Sequence, residues 1–352
     1  MASPVERKAE TRRLFDAVEQ VVAPVYLVGG SVRDLLMGRP CDDYDFATPL
    51  TPDEVEQRVR AAGRRPYLIG KRFGTIGFKV DGDSVEVTTF RAESYSKGSR
   101  KPRVEFLADL GDDLARRDFT VNAIAMRGET VIDPCGGAAD IEGRVVRAVG
   151  DARVRFKEDP LRILRAARFA SQLDFAVADD TVAAMARGSY HILNVARERW
   201  VAELDKLLVG PSAGVALRLL ADTGLLRYLL PEMQLQVGYD QHSAWHHRTL
   251  FEHTIGVVEA TPPDVTLRWA ALLHDAGKPY ARVDKPGRST YARHELIGAE
   301  IVDRTALYLK WSAARRAEVR ELVRGHMAED SPLREADDAA KGPADEPASR
   351  LS

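Results

Sequence analysis

Tyr26-Leu-Val-Gly29-Gly30-Ser31-Val-Arg33-Asp-Leu-Leu-Met-Gly38, followed closely by Asp43-Tyr44-Asp45, decides the fold class. Tyr26 to Val28 reads as a short apolar strand. Gly29 and Gly30 let the backbone approach an anionic ligand, and Ser31 to Met37 begins a helix whose N-terminal amides favour negative charge. Arg33 falls one turn into that helix, where it can meet a triphosphate. In an extended chain alternate side chains share a face, so Asp43 and Asp45 point the same way and Tyr44 the other. Two co-facial carboxylates are hard oxygen ligands for magnesium. Glu86, in the alternating strand Ser84-Val-Glu-Val-Thr-Thr-Phe90, is the candidate third carboxylate. An Asp-x-Asp alone is usually a solvated turn, and so is a lone Gly-Gly; their order and spacing here make the pair specific.

Working outward, 352 residues exceed what one hydrophobic core normally serves, so two or more packed units are expected. Four regions follow from the patterning. Residues 1–22 form an amphipathic helix with Leu14, Phe15, Val18, Val21 and Val22 at helical spacing. Residues 23–150 alternate short strands, Gly turns and helices, a compact α/β unit, and residues 151–236 turn helical. Residues 237–340 are helical and rich in His, and 341–352 are too polar and Pro-rich to pack. The net charge of −2 gives no global attraction to nucleic acid, so binding would rest on the basic clusters at 58–72, 97–103 and 144–168. The two cysteines, Cys41 and Cys135, suit neither a disulfide framework nor a zinc cluster. With no bilayer-length apolar run and no secretory leader, a cytoplasmic location is expected and a membrane partner is not.

A second chemical signal is Glu158-Asp159-Pro160-Leu-Arg162-Ile-Leu-Arg165-Ala-Ala-Arg168. Asp159 and Pro160 suit a helix start, and Glu158 can pair with Arg162. Capping does not account for arginines at steps of three. Asp159 offers an acceptor beside the Arg162 donor, which matches the edge of cytosine (N4, N3) and of adenine (N6, N1) and leaves guanine and uracil with like poles facing. Arg165 and Arg168 are then left for phosphates. Between the two signals lies Arg116-Arg117-Asp118-Phe-Thr120-Val-Asn122-Ala123, where Asp118 can accept from ribose hydroxyls and Arg117 can meet phosphate. The simpler reading there is a helix start capped by Asp118 or Thr120.

In this order, LVGGSVRD, DYD, EVTTFR, RRDFTVNAIAM, IDPCGG and EDPLRILRAARF resemble the class II tRNA nucleotidyltransferases, the family of CCA-adding enzymes and bacterial poly(A) polymerases. The resemblance implies an α/β polymerase-β-like head followed by an all-α neck and body. It implies Asp43 and Asp45 as Mg2+ ligands, Gly30, Arg33 and Arg117 as nucleotide contacts, Asp118 at the ribose, Asp159 with Arg162 as the base-reading pair, and Arg165 and Arg168 as further nucleotide contacts. CTP, ATP and tRNA are the implied partners. The segment Phe90–Leu110, with Tyr95, Arg100 and Pro102, resembles the family's loop that helps switch from C to A addition; a poly(A) polymerase is the alternative. Arg197–Leu208 resembles a later neck motif of structural role.

The His-rich region carries His253, His274-Asp275 in Leu-Leu-His-Asp-Ala-Gly-Lys278, and Asp337, which resemble the ligand set of an all-α HD metal-dependent phosphohydrolase domain. His294 and His326 are candidates to extend it. The resemblance implies a second divalent metal (Ni, Mn, Co or Fe) and work on RNA ends; a phosphohydrolase with an inert head is the alternative of another class.

Overall fold

The computed structural model describes residues 4–41, 44–94, 103–106, 109–242 and 249–341. Asp43, the loop residues Tyr95, Arg100 and Pro102, and the 342–352 tail lie outside the described residues. The chain divides into two compact units, residues 1–158 and 159–352.

In the first unit, β1 (Tyr26–Val28), β2 (Asp45–Thr48), β3 (Thr75–Val80) and β4 (Asp83–Thr89) join a mixed sheet; the hairpin β5 (Arg91–Ser94) and β6 (Arg103–Phe106) stands outside it; β7 (Ala125–Arg127) and β8 (Thr130–Ile132) complete it. The six-stranded order is β3-β4-β2-β1-β7-β8, with β2 parallel to β4 and the other pairs antiparallel. Helix α1 (Pro4–Val22) is part of this unit: Leu14, Phe15, Val18 and Val22 pack with Leu27, Val32, Phe46, Ile76 and Phe78. Each such side chain removed from water contributes about 1.5–3 kcal/mol, which is why the N-terminal amphipathic face ends in the head's core and not as a separate element. Next come α2 (Gly30–Leu36), α3 (Pro52–Ala61), α4 (Leu110–Ala115), α5 (Gly137–Glu142) and α6 (Ala152–Glu158). Thr51 and Glu54 form a reciprocal cap on α3.

The second unit opens with α7 (Leu161–Leu173), α8 (Asp179–Gly188), α9 (Arg197–Leu208) and α10 (Ala213–Asp222). Leu164, Ala167, Trp200, Leu204 and Leu217 are buried, as helical spacing predicts. The short helices α11 (Leu226–Leu229) and α12 (Pro231–Gln234) lead to α13 (Leu250–Ala260), α14 (Val265–Leu273), α15 (Lys278–Ala281), α16 (His294–Leu309), α17 (Ala313–Arg324) and α18 (Arg334–Ala340). One hairpin, β9 (Val283–Lys285) with β10 (Arg288–Thr290), interrupts the helical pattern. Asp205 ties α9 to the later helices, accepting from Trp269 Nε1 at 2.7 Å and from Arg315 Nη2 at 2.8 Å.

Candidate active site and metal centre

In the first unit the glycine pair ends β1 and starts α2. Gly29 has φ +71°, and a Cβ there would lie 2.7 Å from Arg117 Nη1, so both backbone conformation and close approach require glycine. The cradle is linked to the carboxylate strand because Asp45 N donates to Ser31 Oγ at 3.0 Å. Asp45 is exposed on β2, and Glu86 is its register partner on the parallel neighbour β4. Register partners on adjacent strands point to the same face, so two hard oxygen donors stand side by side there. That donor chemistry fits a divalent cation.

Arg33 lies over the start of its own helix. It donates to Asp34 through Nε and Nη2, both at 2.9 Å, and to Asn122 Oδ1 at 2.6 Å. Arg117 donates to the Asn122 carbonyl at 3.2 Å and to Asp113 Oδ2 at 3.2 Å. Asp113 also accepts from Arg116 Nη2 at 2.7 Å and from the Arg91 amide at 3.2 Å. Burial works against its charge, but Arg116 and Arg117 outweigh it and hold the carboxyl below its ordinary pKa. Asp118 does not cap an α-helix: its Oδ1 accepts from Phe119 N at 2.8 Å and from Asn122 Nδ2 at 3.2 Å, ahead of a single 3-10 turn at Thr120–Asn122. Asn122, Asp113 and Ser31 bind these groups together, and their roles were not read from sequence. The one local sign was a lone amide, Asn122, among Val121, Ala123, Ile124 and Ala125.

In the second unit Pro160, not Asp159, is the residue flanking α7. Asp159 Oδ1 accepts from Leu161 N and Oδ2 from Arg199 Nη2, both at 3.1 Å. Glu158 pairs with Arg155 at 3.1 Å. Arg162 and Arg165 are half-buried on α7. Arg168 turns inward, forming a 2.6 Å ion pair with buried Glu203 of α9 and lying 3.8 Å from the Phe169 ring centroid. Its place is a helix-to-helix clamp, because Glu203 supplies the partner that a phosphate would otherwise be. The basic cluster at 58–72 is likewise partly neutralised: Lys71 contacts Asp53 and Glu56 at 2.6 Å, and Arg60 contacts Glu56 at 2.9 Å.

The histidine cluster is built from five helices and the loops that follow them. His253 lies on α13; His274 and Asp275 end α14, His294 opens α16, His326 follows α17 and Asp337 lies on α18. Gly277 is fixed by packing, since a Cβ would meet His294 O at 2.1 Å. His253 Nε2 is 3.0 Å from Asp337 Oδ1 and 3.4 Å from Asp275 Oδ2, and His274 Nε2 is 3.1 Å from Asp275 Oδ2. On the other side Asp275 Oδ1 lies 3.1 Å from His294 Nε2 and 3.8 Å from His326 Nε2. His274, His294 and His326 direct Nδ1 to the carbonyls of Ala271, Tyr291 and Val323 at 2.7–2.8 Å. A carbonyl only accepts, so Nδ1 carries the proton and Nε2 is turned to the cluster, the orientation a metal ligand needs. His274 Nε2 and Asp275 Oδ2 are buried without a hydrogen bond, and the donor set fits a divalent cation. Burial disfavours the charged ring of His274, but Asp275 and Asp337 raise its pKa to about 9 in the metal-free cluster. Lys278 Nζ contacts Asp275 Oδ2 at 2.6 Å, and Lys341 Nζ contacts Asp337 Oδ2 at 3.0 Å.

A mixed sheet carrying adjacent carboxylates beside a glycine-started helix, followed by helical layers and a histidine-aspartate cluster, defines a nucleotidyltransferase head with a helical body and an HD domain. The chain matches the family descriptions "Poly A polymerase head domain" over residues 25–147, "Probable RNA and SrmB-binding site of polymerase A" over 174–236, and "HD domain" over 250–348. It is 48% identical over 266 residues to the CCA-adding enzyme of Geobacillus thermodenitrificans, covering 74% of this chain and 62% of that protein. The CCA-adding enzyme of Geobacillus stearothermophilus is 42% identical over 264 residues, with coverages of 72% and 64%. The crystal structure of the Bacillus stearothermophilus CCA-adding enzyme in complex with CTP superposes with TM-score 0.65 at 32% identity, covering 96% of this chain and 82% of that one. The chain belongs to the class II tRNA nucleotidyltransferase family, that of the CCA-adding enzymes and poly(A) polymerases, with a C-terminal HD domain. It spans less than two thirds of the length of the curated relatives it matches. Head and HD domains both imply dependence on divalent cations. No described helix is long and apolar enough to cross a membrane.

Proposed function

We propose that the protein adds C and A nucleotides to the 3′ end of tRNA from CTP and ATP without a nucleic-acid template. The observation that carries this reading is the Asp45–Glu86 register pair next to the Gly29–Gly30 helix start, within a family whose curated relatives are CCA-adding enzymes. Asp43, Asp45 and Glu86 would hold Mg2+, which supplies charge neutralisation for the triphosphate and for the attacking and leaving oxygens. The 3′-hydroxyl oxygen of the RNA bonds to the α-phosphorus, the bond to the bridging oxygen breaks, and pyrophosphate leaves. Gly30, Arg33 and Arg117 take the triphosphate, Asp118 the ribose, and Asp159 with Arg162 the base edge, with Arg165 beside them. Guanine and uracil are rejected because their donors and acceptors would face like groups in a site with little water. The functional division is head 23–150, neck and body 151–236, and HD domain 237–340. A cytoplasmic location accords with the substrates. Incubating tRNA transcripts that end before the first C, after the second C and at the terminal A with each NTP tests the reading. CMP followed by AMP incorporation is expected; AMP alone on every end would make it a poly(A) polymerase.

His253, His274, Asp275 and Asp337, extended by His294 and His326, would hold a transition metal (Ni, Mn, Co or Fe) for hydrolysis of phosphate esters at RNA ends. The buried donor set of imidazoles and carboxylates favours this second reading. Release of phosphate from a 3′-phosphorylated tRNA end by the metal-loaded protein, lost in His274→Ala, tests it.

A further inference from the structure

Asn122 sits where three candidate nucleotide contacts meet. It is 7% exposed. Its Oδ1 accepts from Arg33 Nη1 at 2.6 Å, its Nδ2 donates to Asp118 Oδ1 at 3.2 Å, and its backbone carbonyl accepts from Arg117 Nη1 at 3.2 Å. The chemistry of these contacts calls for a short amide. One end must accept from a guanidinium while the other donates to a carboxylate. Aspartate would turn a second negative oxygen toward Asp118, leucine would satisfy neither neighbour, and a flipped amide would set donor against donor and acceptor against acceptor.

The two ends of this amide have unequal consequences. Arg33 keeps a bidentate bond to Asp34 when Asn122 is removed, so its guanidinium stays anchored. For Asp118 the amide supplies a side-chain donor, and the other donor on the same oxygen is the adjacent Phe119 amide at 2.8 Å. Two donors converging on Oδ1 fix the plane of the carboxylate, and hence the direction in which Oδ2 points. A single local donor leaves the terminal torsion, which is intrinsically broad, to wander.

We propose that Asn122 is a positioning residue for sugar discrimination: it locks the Asp118 carboxylate in the orientation that accepts from a ribose hydroxyl, so that ribonucleotides are preferred over 2′-deoxyribonucleotides. The inference rests on the assignment of Asp118 to the ribose and deepens it by naming the group that makes this carboxylate selective. A residue that merely fills space would affect CTP and dCTP alike. Asn122 acts on their ratio.

The test compares kcat/KM for CMP and dCMP incorporation onto a tRNA transcript ending before the first C, in the full chain and in Asn122→Ala, Asn122→Asp, Asp118→Ala and the Asn122→Ala/Asp118→Ala double variant. The CTP/dCTP ratio should fall about tenfold in both Asn122 variants, the size expected for one hydrogen bond to a charged group. Asp118→Ala should lower it at least as far, and the double variant no further than Asp118→Ala alone. An unchanged ratio in the Asn122 variants with a lowered one in Asp118→Ala overturns the inference and leaves the ribose assignment standing. An unchanged ratio in Asp118→Ala overturns both. Asn122→Ser, a smaller donor and acceptor, replaces the alanine variant if that one does not fold; it should retain an intermediate ratio, and a ratio equal to the parent's counts against the inference.

Discussion

Asp337 Oδ1 lies 3.0 Å from His253 Nε2, so a carboxylate from α18 closes a cluster that α13 begins. The same oxygen is 3.7 Å from His274 Nε2, and Asp275 completes the group. Without a cation, the charge of two buried carboxylates is balanced by protons on imidazole and by Lys278 and Lys341.

The stability of the metal-free protein should therefore depend on pH in a defined window. His274 has a folded pKa raised to about 9 from the ordinary 6.5. A raised pKa contributes stability that is fully present below about pH 6.5 and is lost as pH climbs through the folded value. Thermal melts in chelator should fall steadily between pH 6.5 and 9. Added Mn2+ or Ni2+ should raise the melting temperature most at the alkaline end, where protons no longer compete for the ring. A melting temperature independent of pH in chelator would contradict this picture.

Asp113 should act in the opposite direction. Its depressed pKa gives a contribution that is present above the unfolded value of about 4 and disappears as pH falls through the folded one. Asp113→Asn should remove that acid-limb dependence, measured by urea melts from pH 5 to 2.5. It should also raise the KM for both CTP and ATP, because Arg117 loses the charge that holds it.

Breaking the Arg168–Glu203 pair should cost stability before it costs chemistry. Removing one partner of a buried ion pair leaves an unpaired charge, a loss of about 3–5 kcal/mol. Glu203→Ala should show that loss in denaturant melts, and Glu203→Gln, which keeps an acceptor, a smaller one. Nucleotide incorporation at low temperature should survive in Glu203→Gln.

Asp45→Ala should lower incorporation by more than about 100-fold while leaving tRNA binding within a few-fold, measured by primer extension and filter binding. Full activity would remove Asp45 from catalysis.

Asp159→Ala should preserve incorporation of some nucleotide yet narrow the preference for CTP and ATP over GTP and UTP by about 10- to 100-fold, the cost of an unpaired polar group. Unaltered preference would remove the base-reading role.

Much of the head was legible because its signals are local. Gly29 is demanded by its own backbone angle and by a neighbour's guanidinium, Thr51 and Glu54 cap a helix three residues apart, and the α1 apolar face repeats every three or four residues. Asp159 was placed at the helix start one residue off, since a proline there shifts the first helical position. Arg168 misled because a sequence shows spacing along α7 and nothing of what α9 sets against it. Glu203 lies 35 residues on, within a motif read only as structural.

From the amino-acid order alone came the class of fold, the candidate carboxylates and the order of head, helical body and histidine cluster, since backbone preference, face alternation and charge type belong to neighbouring residues. Only the folded chain decided that Asp45 stands in register with Glu86, that Asn122 joins Arg33 to Asp118, and that Asp275 faces His253 and His274 through one oxygen and His294 and His326 through the other. Those pairings join residues distant in sequence. They are set by which apolar faces pack together, and strand register and helix contact then bring particular polar atoms within bonding distance.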